Sequence, residues 1–493
     1  MVYAGCYVVF HDYRLFMQTI YIVIKTIFNV CLTRVRYRAH TALMNLAALY
    51  DPSQGEAKYL SIANAIERGI EEGVLTPTEP LPTHRSLAEA LGVTVGTVTR
   101  GYAEAAQRGL IVGITGRGTF VISKRPDVDV KSADDRNCIN LGFISPFEYF
   151  NPSLPDAVQR LGMGCRLDDL SSYQQPGGLM RHREAGCLWA QRYGLNVAPE
   201  RLLICAGAQH ALLTILASLF NPGDKIAAEQ LSYPLLKQLA KRLRLHIVPV
   251  RMDRGGMLPE ALEAACRNGD IKGLYLMPTC HNPTLAQIPE WRRHELVAIC
   301  RRHDVQIIED DVYALTQEHC LPPFATLAPE RSCFIAATSE ALSGGLRIAY
   351  LCPPEHYLAE LERTISYTIS MAPPLMAELA AMWINDGTAD KVLAAKKAEA
   401  RARNVLARGI LDGFALETRT TGFFCWLKLP EPWTSTAFVD ALKARKVLAA
   451  EGEHFLFGHS APEQGVRLAL GGTPSRAALE QALGVVADVL HQG

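Results

Sequence analysis

Short runs rich in β-branched and apolar residues alternate with stretches of helical pattern along the larger part of the chain. Examples are Leu202–Cys205, Lys225–Ala228, Leu245–Val250, Gly273–Met277, Val305–Glu309 and Cys333–Ala337. Strand–helix alternation on this scale predicts an α/β unit with a mostly parallel sheet covered by helices. Ligands in such sheets bind at the carboxyl ends of the strands. The alternation occupies residues 138–493, so a chain of 493 residues is expected to hold a further domain ahead of it. With 49% hydrophobic and 20% charged residues, a disordered, collagen-like or coiled-coil chain is excluded.

Ahead of residue 138 the pattern changes. Tyr59, Ile62, Ile66 and Ile70 recur at steps of three and four, the period of one helix face. The spacing predicts a helix from Lys58 that ends at Gly73, then a loop marked by Pro77, Pro80 and Pro82. Thr83 is placed to cap a short helix reaching Leu91, with Gly92 as its stop. Thr94 is placed to cap another helix running to about Arg108, with Gly109 behind it. Leu110–Val121 then holds two β-rich runs broken by Gly113, Gly116 and Gly118. The expected unit, residues 44–124, is a helix, a helix–turn–helix and a hairpin wing.

Within it, LPTHRSLAEALGVTVGTVTRGYAEAAQRGLI followed by GRGTFV (Leu81–Val121) resembles the DNA-binding domain of GntR-type regulators. The LP-x-x-R, LGV, TV-x-x-x-Y and G-x-GTFV elements occur in that order. The resemblance implies a second helix that enters the major groove of double-stranded DNA by its N-terminal end. Thr94 and Thr97 would face phosphates or base edges there. Arg85 opens the preceding helix, Arg100 sits one turn into the recognition helix, and Arg117 with Gly118 suits a wing tip close to the backbone. Five basic residues (Arg85, Arg100, Arg108, Arg117, Lys124) stand against two acidic ones (Glu89, Glu104) across Leu81–Lys124. The whole chain balances 50 Lys+Arg against 50 Asp+Glu, so nucleic-acid binding is confined to this face. Val95 stands where such regulators often carry arginine, and one groove contact is therefore missing.

Other segments bound the problem. Arg125–Asn137 (RPDVDVKSADDRN) is polar and reads as a solvated linker. Residues 1–43 differ from the rest: Leu15–Leu32 is apolar but interrupted by Gln18, Lys25 and Asn29, and Arg34, Arg36 and Arg38 follow. Neither a membrane span nor a signal peptide fits that pattern. The segment is expected to be an upstream extension with Met44 as the working start; a short membrane-surface or packing helix is the alternative. Thirteen scattered cysteines with no C-x-x-C pair support neither a disulfide framework nor a metal site, and a reducing, cytoplasmic setting is expected.

In residues 138–493 a second set of motifs resembles fold-type I pyridoxal-phosphate (PLP) aminotransferases. Ala206-Gly207-Ala208-Gln209-His210-Ala211-Leu212 follows a strand and opens a helix, whose free amides and dipole suit a phosphate. The resemblance implies that Ala208 and Gln209 belong to the phosphate loop and that Tyr233, in LSYP, stacks on the ring. It also implies that Asn282, in HNPT, bonds the ring hydroxyl. In EDDVY, Asp310 would pair with the ring nitrogen and Tyr313 would bond the ring oxygen. Tyr173, in YQQPGG, would reach the phosphate of a partner subunit. Arg467, in GVRLAL, would clamp a carboxylate bidentately. A winged helix joined to this fold resembles the MocR-type branch of the GntR regulators, which implies a homodimer with two DNA readers.

One motif departs. The family pattern is S-x-S-K-x-x-x-x-G-L-R, whose Lys carries the cofactor and whose Arg holds the phosphate. Here Ala337-Thr338-Ser339-Glu340-Ala341-Leu342-Ser343-Gly344-Gly345-Leu346-Arg347 keeps Ser339, Arg347 and the spacing between them, but the lysine position is Glu340. A carboxylate cannot form a Schiff base, so covalent PLP is excluded and no catalytic residue is assigned. Glu340 also places an anion near Asp310 and a phosphate. Like charges about 4 Å apart repel by about 4 kcal/mol at an effective dielectric near 20, so non-covalent PLP needs Glu340 protonated or paired. Pyridoxamine phosphate, with an ammonium in place of the aldehyde, would suit Glu340.

The resulting expectation is a DNA-binding transcription regulator. Its aminotransferase-like domain provides dimerisation and senses a B6 vitamer or another small amino compound, or binds none and serves as a scaffold. The alternatives are a PLP transaminase with a fused DNA-binding domain, which Glu340 opposes, and PLP-independent catalysis with Glu340 as general base.

Overall fold

The computed structural model describes residues 42–52, 57–72, 74–75, 80–108, 110–114, 118–121, 138–164, 167–458 and 464–492. The N-terminal segment up to residue 41, Arg117, and the expected linker over residues 125–137 lie outside the described residues. The chain divides into two compact units between Lys124 and Arg125.

The first unit contains α1 (residues 42–49), α2 (Lys58–Glu71), α3 (His84–Leu91), α4 (Val95–Gln107), β1 (Ile111–Ile114) and β2 (Gly118–Val121). Local chemistry sets its boundaries. Thr83 Oγ1 accepts from the Ser86 amide at 3.2 Å and Thr94 Oγ1 accepts from the Thr97 amide at 3.1 Å, capping α3 and α4. Gly92 closes α3 in the left-handed conformation. The hairpin pairs Ile111 with Val121, and the Leu81 amide donates to Thr119 O, so the loop before α3 runs along the wing. The core holds Ile62, Ile66, Leu87, Val98 and Tyr102. Ala42 is buried in that core too, two residues ahead of Met44.

Helices α2 and α4 approach closely at Gly101, where an added Cβ would stand 2.8 Å from the Ile62 side chain. Gly101→Ala should therefore destabilise this unit by about 1–3 kcal/mol through overpacking, read by chemical denaturation. Equal stability of the variant would show that the two helices separate freely.

The second unit runs through β3 (Ile139–Leu141), α5 (Leu154–Gly164), α6 (Leu167–Leu170), α7 (Met180–Gln191), β4 (Leu203–Cys205), α8 (Ala208–Leu219), β5 (Lys225–Glu229), α9 (Pro234–Leu243) and β6 (His246–Val250). It continues with β7 (Met252–Asp253), β8 (Gly256–Met257), α10 (Pro259–Asn268), β9 (Ile271–Leu276), α11 (Glu290–Arg302), β10 (Gln306–Asp310), α12 (Phe324–Leu327), β11 (Ser332–Ala337) and β12 (Ala349–Cys352). The last elements are α13 (Leu358–Ile369), α14 (Pro374–Asn385), α15 (Thr388–Ile410), β13 (Leu416–Glu417), β14 (Phe424–Lys428), α16 (Ser435–Ala444), β15 (Val447–Glu451), β16 (Gly465–Ala469) and α17 (Arg476–Leu490).

Seven strands form the central sheet in the order β4-β12-β11-β10-β9-β5-β6. All adjacent pairs are parallel except those made by β12, which runs antiparallel to both β4 and β11. Apolar clusters pack on both faces, as a sheet covered by helices requires. A second sheet, β13-β14-β16-β15-β3, is built from the C-terminal part of the chain, with β3 added in parallel to β15. No helix among the described residues is long and apolar enough to cross a membrane.

Candidate functional site

The carboxyl ends of the central strands converge on one edge, and most of the expected pocket residues lie there. Gly207 to Gln209 follow β4, Tyr233 follows β5, Asn282 follows β9, Asp310 ends β10, and Ser339 and Glu340 follow β11. Arg467 comes from β16 of the second sheet.

The expected phosphate end is shaped by backbone. Gly207 sits at φ 86°, and a Cβ on it would lie 2.5 Å from Arg347 Nη2. Only glycine fits both demands. The Arg347 guanidinium thus lies against the N-terminus of α8, where the first-turn amides of Ala208 and Gln209 have no helical partner. Arg347 itself is held at φ 49°, a conformation costly for a residue with a Cβ. A cation beside a helix N-terminus is an anion cradle. Gln209 Nε2 donates to Tyr233 Oη at 3.2 Å, linking the cradle to the aromatic expected over the ring.

The expected ring end holds an acid with one oxygen to spare. Asp310 is 4% exposed; Oδ2 accepts from Tyr275 Oη at 2.8 Å, and Oδ1 is buried with no hydrogen-bond partner. Burial pushes its carboxyl up to about 6, against the Tyr275 hydrogen bond and with the Asp311 charge adding. A cationic N–H placed at Oδ1 would satisfy it. Asp311 is bound by the amide and hydroxyl of Thr279, and Glu309 by the amides of Phe324 and Ala325, which hold the acidic run in place. Buried Tyr313 packs edge-on to Phe424.

Asn282 and Arg467 come together directly. Arg467 Nη1 donates to Asn282 Oδ1 at 2.9 Å and Nη2 donates to Gly142 O at 2.6 Å. Its guanidinium lies over Phe455 at 4.9 Å. A carboxylate ligand would have to compete with these partners.

Glu340 has a buried Oε2 without a hydrogen-bond partner. Burial pushes its carboxyl up to about 7; Lys396, the Ser339 hydrogen bond, Arg467 and Arg347 all pull the other way. The repulsion expected from an anion here is therefore offset by three nearby cations. Lys396, on α15, is fully buried, with Nζ donating to Leu342 O at 2.8 Å and Glu340 O at 3.4 Å. That ammonium lies behind the 340–342 turn and is fixed to its carbonyls.

Tyr173 is not brought to the others within one chain: it is 87% exposed between α6 and α7. Two residues carry no signal of their own in the sequence: Tyr275 lies inside the apolar run Gly273–Met277, and Lys396 is one of two adjacent lysines.

In the first unit Arg85, on α3, and Arg100, on α4, are exposed, as are Thr94 and Gly118, and Thr97 is half-buried. The hydroxyls of Thr94 and Thr97 are 2.9 Å apart, so both take part in capping α4. Arg108 does not join this face: it bonds Asn64, Glu67 and Glu104 and locks α4 to α2. Val95 is 46% exposed at the start of α4, so the apolar departure lies on the surface that would meet a groove.

Comparisons with known proteins bear on both units. Residues 58–121 match the family model for bacterial regulatory proteins of the gntR family, and residues 153–486 match aminotransferase class I and II. The uncharacterized HTH-type transcriptional regulator YdeF of Bacillus subtilis is 30% identical over 451 residues, covering 90% of this chain and 98% of that one. The vitamin B6 salvage pathway transcriptional repressor PtsJ of Salmonella typhimurium is 26% identical, covering 83% and 93%. The HTH-type pyridoxine biosynthesis transcriptional regulator PdxR of Corynebacterium glutamicum is 29% identical, covering 63% and 69%. Among solved structures, a kynurenine aminotransferase of Pyrococcus horikoshii superposes with a TM-score of 0.67 at 20% identity, covering 75% of this chain and 97% of that one, which establishes the fold.

Proposed function

The chain belongs to the MocR-type branch of the gntR-family regulators, a DNA-binding winged helix fused to an aminotransferase class I and II domain, and we propose that it is a dimeric transcription regulator that binds a B6 vitamer without a covalent bond. Residues 44–124 are the DNA-binding unit and residues 138–493 the sensing and dimerisation unit. Arg85 and Arg100 make the phosphate and base contacts of the reader, with Thr94 and Thr97 at the start of its groove helix. Two of its relatives are named for vitamin B6 regulation, which favours the same ligand class here.

The observation that carries the pocket assignment is that two acids at the carboxyl ends of adjacent strands each keep a buried oxygen without a hydrogen-bond partner, Asp310 Oδ1 and Glu340 Oε2. Asp310 would hold the ring nitrogen, Asn282 and Tyr313 the ring oxygen, and Tyr233 the ring face. The α8 N-terminus, Ser339 and Arg347 would hold the phosphate. Glu340 would hold an amine, and exposed Tyr173 would serve the pocket of a second copy. A bound vitamer supplies an electron-withdrawing ring. With no lysine at position 340, this chain's residues bind and orient that ring without adding a nucleophile.

Calorimetric titration with pyridoxamine phosphate and with PLP tests the assignment. A charge-assisted hydrogen bond at Glu340 should favour pyridoxamine phosphate by about tenfold or more at pH 7.5. Because burial raises the Glu340 carboxyl to about 7, the binding carboxylate is mostly absent at pH 6 and mostly present at pH 8. Affinity for pyridoxamine phosphate should thus rise across that range. In Glu340→Gln the preference should vanish and the rise should shrink to that of the ligand phosphate alone. A native chain that favours PLP, or one whose lysine is trapped on PLP by borohydride, would refute the assignment and restore the transaminase alternative.

A further inference from the structure

We propose that Lys396 is a positioning residue of this pocket: its ammonium is the counter-charge of Glu340, and it makes the pocket select the aminated over the aldehyde form of a pyridine phosphate. The selectivity rests on the vitamer assignment above; the charge pairing does not.

Lys396 is fully buried on α15, and among the described residues its ammonium bonds the carbonyls of Leu342 and Glu340. No carboxylate among the described residues lies within the 4.0 Å ion-pair distance of it. A buried cation without compensation is costly, so an acid must neutralise it through space. Two acids act on Lys396: Glu340 and Glu148. Glu148 is exposed, and water screens it. Glu340 is the acid that remains.

Seen from Glu340, charged and titratable groups approach from several elements. Lys396 comes from α15, Arg467 from β16, Arg347 from the turn before β12, and Tyr313 from the segment after β10. Arg467 is engaged by Asn282 and Gly142, and Arg347 lies against Gly207 at the anion cradle. Lys396 is instead bonded to the carbonyls of the very turn that carries Glu340. Its two hydrogen bonds also tie the 340–342 turn to α15, which fixes where the Glu340 side chain begins. The position that lacks an amine at residue 340 therefore keeps a cation beneath it. Burial still raises the carboxyl to about 7, so it is mostly ionised by pH 8, with Oε2 open to accept from a ligand ammonium. Without Lys396 the carboxyl moves further up, and the ionised fraction that would hold that ammonium falls.

The test compares the native chain, Lys396→Met, Lys396→Arg and Glu340→Gln. Pyridoxamine phosphate and PLP are titrated by calorimetry. The Glu340 carboxyl is followed by infrared difference spectra against Glu340→Gln, without ligand. In Lys396→Met the vitamer preference should fall from about tenfold to about one, and the Glu340 midpoint should move to higher pH; Lys396→Arg should restore both. Glu340→Gln should lower the melting temperature, since it strips the buried ammonium of its counter-charge. A folded Lys396→Met that keeps the native preference and midpoint overturns the proposal, as does a Glu340→Gln that melts like the native chain. If neither vitamer binds while the midpoint still moves in Lys396→Met, the vitamer assignment and the selectivity fall, and the charge pairing stands.

Discussion

Glu340→Lys should convert a pocket that forms no covalent bond with PLP into one that holds it covalently, with close to one borohydride-trapped adduct per chain at residue 340. The remaining parts are in place. Ser339 precedes the position, Arg347 lies against the α8 N-terminus, and Asp310 offers Oδ1 to a ring nitrogen. An amine introduced there would be buried beside Lys396 and two arginines, and both influences lower its basicity and free its lone pair near neutral pH. Mass spectrometry of the reduced, digested protein reads the result directly. An adduct on another lysine, or none in a folded variant, would show that residue 340 is not where the cofactor's reactive carbon sits.

The second large effect belongs to the other unit. Arg85→Ala combined with Arg100→Ala should weaken binding to the regulated promoter by about 2–6 kcal/mol, or at least about thirtyfold, at one phosphate or base contact per arginine. The salt dependence should flatten as well, by about 0.9 in logarithmic slope for each phosphate that an arginine no longer neutralises. Both arginines are exposed and neither carries an internal ion pair among the described residues, so the melting temperature should hardly change. Gel-shift assays at several salt concentrations decide it. Unaltered affinity and slope would move the DNA-reading surface elsewhere. Arg108 makes the contrast: it adds to the same local charge in the sequence, yet Glu67 and Glu104 engage it.

Much of both units was legible because the signals are local. Thr83 and Thr94 announce helix starts through hydroxyls that reach amides three residues on, and Gly92 announces a stop through its left-handed backbone. Six apolar runs became strands within two residues of their expected ends, since a β-branched run between turn residues has few other uses. The reverse direction of β12 was not legible. Ala349–Cys352 is another short apolar run, and nothing in its composition tells an antiparallel strand from a parallel one. Nor was the capture of β3 by β15, which pairs Ile139 with Val447.

What the sequence determined by itself is the pair of modules, the order of their motifs, and the absence of an amine at residue 340. Each is a matter of residue identity and short-range spacing, which the chain carries whether folded or not. Tertiary structure alone decided how that absence is compensated. Tyr275 reaches Asp310 across 35 residues, Lys396 reaches the Glu340 carbonyl across 56, and Arg467 reaches Asn282 across 185. Charge, burial and hydrogen bonding depend on distance in space, and the position of α15 behind the 340–342 turn exists only once the sheet has formed.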